Sequence, residues 1–86
     1  MRGTVLLVED SEIIALDTED MLRSLGFDDV LHARTCAEAF AALTTQRFDC
    51  AVLDINLAED TSFPVAHRLM RLGVPFVFAT GYGVRT

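Results

Sequence analysis

TVLLVED, residues 4–10, places two features side by side. Thr4 to Val8 is an unbroken β-branched and leucine run, and two carboxylic acids, Glu9 and Asp10, follow it at once. A strand with one wet face alternates apolar and polar side chains. A continuous apolar run instead belongs to a strand covered on both faces, which is the mark of a parallel sheet. The acids then stand at its carboxyl end.

Reading outward, Ser11 offers an N-cap, and Ile14, Thr18, Met21, Leu22 and Leu25 recur at helical spacing until Gly26 closes the helix. A second strand is predicted at Val30 to Ala33. Thr35 and Glu38 make a T-x-x-E capping box for an alanine-rich helix whose Cys36, Phe40 and Leu43 face one way. AVLDINL, residues 51–57, supplies a third buried strand in its first half. Pro64 suits the first turn of a third helix, which carries Ala66, Leu69 and Met70 inward and stops at Gly73. Pro75 opens a fourth strand, PFVFA. The order β-α-β-α-β-α-β predicts an α/β doubly wound parallel sheet, with right-handed crossovers and helices on both faces.

Composition narrows the classes. The chain has 86 residues, room for one small domain, and half of them are apolar, which argues for a folded core. Net charge is −6, all seven cations are arginine and lysine is absent, so no basic stripe marks a direct nucleic-acid partner. Cys36 and Cys50 lack metal or C-x-x-C spacing and read as buried thiols of a reducing compartment. No stretch reads as a signal peptide or a membrane span, so the cytoplasm is the expected location. His32 and His67 read as surface histidines, and Phe27, Phe40, Phe48 and Phe63 as packing residues.

Parallel sheets bind ligands beyond the carboxyl ends of their strands. Glu9 and Asp10 end the first strand, Asp54 the third and Thr80 the fourth, so three acids and a hydroxyl are expected at one edge. Carboxylates held close raise one another's pKa, and a hard cation relieves that repulsion. Mg2+ suits the set, because it takes oxygen ligands from one or two carboxylates together with a phosphate oxygen.

LLVEDSE, VLDINL and PFVFATGY, in that order, resemble the receiver domain of bacterial two-component response regulators, and PFVFATGYG is similar to the FAT-GUY subgroup of stand-alone receivers. The resemblance spans the whole chain. It implies a flavodoxin-like sheet of order 2-1-3-4 and a phosphorelay role rather than a turnover enzyme. Asp54 would be the phosphoacceptor, served by a histidine kinase or a histidine phosphotransfer protein. Glu9, Asp10, Asp54 and the backbone carbonyl of Asn56 would hold Mg2+, with Asp10 the direct ligand and Glu9 acting through water. Thr80 would be the hydroxyl that senses the phosphoryl group. Output would run through a downstream protein.

The sequence also departs from the pattern. Family members carry a fifth strand ending in a lysine, and neither stands in these 86 residues, so residues 1–86 read as a receiver cut short. Arg85, in the loop after the fourth strand, is a poor stand-in for that lysine. An uncovered fourth strand would invite self-association. Two other readings compete. A haloacid-dehalogenase-type phosphotransferase wants a second Asp where Asn56 stands, and a degenerate receiver would serve only as an interaction module.

Overall fold

The computed structural model describes residues 3–58 and 60–79. The elements are β1 (Thr4–Val8), α1 (Glu12–Ser24), β2 (Asp29–Ala33), α2 (Cys36–Thr45), β3 (Cys50–Leu53), α3 (Phe63–Leu72) and β4 (Phe76–Phe78). The four strands form one sheet in the order β2-β1-β3-β4, and every pairing is parallel. β1 is central, with Val8 beside Ala33 on one side and Leu53 on the other.

Both faces of β1 are apolar because both are covered. Leu6 and Val8, with Ala51 and Leu53 of β3, pack against Ala39 and Ala42 of α2 and Val65 and Leu69 of α3. Val5, Leu7 and Val52 turn the other way, toward Ala15 and Leu22 of α1. Burying each such valine or leucine contributes about 1.5–3 kcal/mol, so this strand anchors the fold.

The caps follow the local sequence. Ser11 Oγ accepts the N–H of Ile14, and Thr35 Oγ1 accepts that of Glu38. Glu38 reaches back to the N–H of Arg34, one residue before the position the capping box predicts. Pro64 lies in the first turn of α3, and Gly73 ends that helix in a left-handed conformation.

Part of α1 is exposed, and two expectations about facing, those for Met70 and Phe63, are corrected. Met21 and Leu25 of α1 are 57% and 58% exposed, because one helix alone covers that face of the sheet among the described residues. Met70 of α3 points outward and Val65 takes the inward place. Phe63 is exposed, set edge-on to Phe78 of β4, whereas Phe48 is buried. Cys36 and Cys50 are half-buried free thiols, and Cys36 Sγ donates to the carbonyl of Thr61, tying α2 to the loop after β3. Among the described residues β4 is an edge strand, with Val77 exposed.

Gly3 sets the start of β1. Its φ is 92°, a region costly for any residue with a Cβ, and its carbonyl accepts the N–H groups of Asp28 and Asp29. Asp49 meanwhile accepts the Thr4 N–H at 2.7 Å. A Cβ on Gly3 would lie 1.9 Å from Asp49 Oδ2, so the carboxylate would have to leave that bond. Gly3→Ala is expected to lower stability by about 1–3 kcal/mol in urea denaturation. An unchanged midpoint would show that this contact does not hold the strand.

Candidate functional site

Each acid owes its place to a rung of the sheet. Glu9 N–H donates to the carbonyl of Ala33 at 3.0 Å, which continues the β1–β2 ladder one residue past β1. Asp54 N–H donates to the carbonyl of Val8 at 2.9 Å and does the same across β1–β3. Consequently Glu9, Asp10 and Asp54 each offer a carboxylate oxygen within 4.8 Å of the other two. The three acids expected at one edge do meet there.

Their surroundings differ. Glu9 is 6% exposed, while Asp10 and Asp54 are half-buried. Glu9 Oε2 accepts the N–H of Ser11 at 3.0 Å. Burial pushes the Glu9 carboxyl above its ordinary range, partly offset by the Ser11 bond, and the neighbouring Asp54 and Asp10 charges push it further. Asp54 is also raised, first by burial and then by the charge of Asp10; hydrogen bonds from Glu9 and from the backbone of Asn56 and Ile55 oppose this.

The loop after β3 is pinned on both sides. Ser62 N–H donates to the carbonyl of Ile55, Leu57 N–H to that of Asp60, and Asn56 bridges Thr61. Asn56 thereby presents its N–H to the Asp54 carboxylate. On the other side, Ala79 N–H donates to the carbonyl of Leu53, which carries the end of β4 to the site. Thr80, Tyr82 and Arg85 lie outside the described residues.

Glu9 and Asp54 stand at one end of an open cavity of about 680 Å3. Its floor is Leu7, Val52 and Val77, and its wall is α1 through Ile14, Thr18 and Met21. Helical spacing pointed to those α1 residues as one face of a helix. The surface reading of His32 is corrected. Its ring Nε2 lies 2.6 Å from the backbone carbonyl of Glu9, so it is part of the site's scaffold rather than a free surface histidine. A polar side chain paired with Leu7 in the parallel register was the signal available. Arg34, near the same edge, is engaged by Glu12 at 2.5 Å.

Comparison with known proteins agrees with the geometry. The family model for the response regulator receiver domain matches residues 5–85. The phyllosphere-induced regulator PhyR of Methylorubrum extorquens is 34% identical over 88 residues, covering 99% of this chain and 33% of PhyR. The chain spans about a third of the length of the curated relatives it matches. The solution structure of SdrG from Sphingomonas melonis is 39% identical with a TM-score of 0.81, over 98% of this chain and 75% of SdrG. TrrA of Thermotoga maritima, solved with Mg2+–BeF, shares the fold at 20% identity and a TM-score of 0.83, over 94% of this chain and 71% of its own. It has also been solved with the histidine kinase ThkA. A parallel sheet of order 2-1-3-4 with acids from β1 and β3 at its carboxyl edge, matched over residues 5–85, shows that the chain belongs to the response regulator receiver domain family.

Proposed function

We propose that this chain is a phosphorylatable receiver of a two-component or phosphorelay system, with Asp54 as its phosphoacceptor. The observation that carries this reading is the meeting of Glu9, Asp10 and Asp54 within 4.8 Å at the carboxyl edge of the sheet. Asp54 attacks the phosphorus of a phospho-histidine donor through one carboxylate oxygen. The P–N bond breaks, an acyl phosphate forms and the donor imidazole leaves. Asp54 must be ionised to do this, and the N–H groups of Ile55 and Asn56 favour that state.

The donor set suits Mg2+: hard carboxylate oxygens from Asp10 and Asp54, Glu9 behind them, and the carbonyl of Asn56 from the pinned loop. When bound, Mg2+ neutralises the carboxylates and the incoming phosphoryl oxygens. TrrA, solved with Mg2+–BeF, supports this choice by analogy of fold. Thr80, one residue beyond Ala79, is proposed as the hydroxyl that engages the phosphoryl group and biases the following loop. A histidine kinase or phosphotransfer protein is the proposed donor, as ThkA is a partner of TrrA.

A degenerate receiver, acting only as an interaction module, is the second reading. Incubation with acetyl phosphate and Mg2+, read by intact mass, separates the two. The expected result is the gain of one phosphoryl group, abolished in Asp54→Asn. No gain would favour the interaction module.

Electrostatics gives an independent check. Glu9 and Asp54 titrate above their ordinary range in the folded protein, so their stabilising contribution is full below that range and is lost as pH rises through the raised values. The metal-free melting temperature should therefore fall as pH rises from about 4 to 7. Asp54→Asn should flatten that fall and stabilise the metal-free protein at neutral pH. Solvent at half-buried Asp54 keeps the gain near 1 kcal/mol, roughly 4–8 °C. Mg2+ should raise the melting temperature of the parent more than that of Asp54→Asn. Equal profiles would show that the acids do not interact.

A further inference from the structure

We propose that His32 is a positioning residue for the cation site, holding the Glu9–Asp10 peptide so that the two acids keep their aim. This rests on the reading of Glu9, Asp10 and Asp54 as a Mg2+ site.

The β1–β2 ladder stops just where the site begins. Its last rung is the Glu9 N–H on the carbonyl of Ala33. In a continuing parallel ladder, the N–H two residues beyond Ala33 would donate to the carbonyl of Glu9. That residue is Thr35, which has turned away to become the N-cap of α2. The Glu9 carbonyl is thus left beyond the backbone ladder, and the half-buried ring of His32 meets it at 2.6 Å. A carbonyl only accepts, so the ring is in the form that carries a proton on Nε2.

The bond acts on the carbonyl that begins the Glu9–Asp10 peptide. With the Ser11 N–H on Glu9 Oε2, it clamps the segment between β1 and α1 at both backbone and side chain. Outer-shell partners of metal sites typically govern affinity by 10–100-fold. A bond to the backbone next to the ligands belongs at the lower end, about tenfold.

The test measures Mg2+ affinity by titration calorimetry on the parent, on His32→Phe, which keeps a ring and removes the donor, and on His32→Gln, which keeps a terminal N–H. The expected result is Mg2+ binding about tenfold weaker in His32→Phe and within about twofold of the parent in His32→Gln. Equal affinity in parent and His32→Phe, or equal loss in both variants, overturns the inference while leaving the cation site standing. A parent that binds no Mg2+ overturns the site and the inference together. On the unaltered protein, a long-range 1H–15N spectrum should show His32 with a proton on Nε2. The opposite tautomer would overturn the inference even if His32→Phe did not fold.

Discussion

The N–H of Asp54 donating to the carbonyl of Val8 at 2.9 Å is the rung on which the site depends. It prolongs the β1–β3 pairing one residue past β3, and so brings the acid of one strand beside the acids of another. The register is firm because β1 is apolar on both faces. Sliding β3 by one residue would exchange the α1-facing and α2/α3-facing side chains and break both cores at once. Packing that covers Val5 to Val8 therefore also sets the spacing of the acids.

That spacing has an electrostatic consequence. Glu9 is buried, Asp10 and Asp54 crowd it, and both Glu9 and Asp54 are driven above their ordinary range. The nearby cation, Arg34, is held by Glu12, so its charge is directed at the start of α1. What opposes the repulsion is a set of backbone N–H groups from Ser11, Ile55 and Asn56. Such dipoles hold carboxylates in place without neutralising them, which leaves the charge available to an incoming cation.

The cavity beside the acids belongs to the same architecture. β4 extends the sheet beyond the core cluster that α1 covers, so exposed Val77 joins Leu7 and Val52 in a floor that the helix walls on one side. Met21 is exposed along that wall for the same reason. The asymmetry is one of cover: two helices pack on one face of the sheet and one on the other among the described residues.

Much of this was legible in the chain. Local chemistry determined the element order: an unbroken run for β1, Ser11 and Thr35 as caps, Pro64 and Gly73 at the ends of α3. It also put Glu9, Asp10 and Asp54 at strand ends, because strand and acid are contiguous in sequence. The distance among them, the exposure of Met21, Leu25 and Met70, and the bond from His32 to Glu9 were decided only by the tertiary structure. The physical reason is range. Caps and periodicity act over three or four residues, whereas Glu9 meets His32 across 23 positions, through strand pairing that no local pattern records.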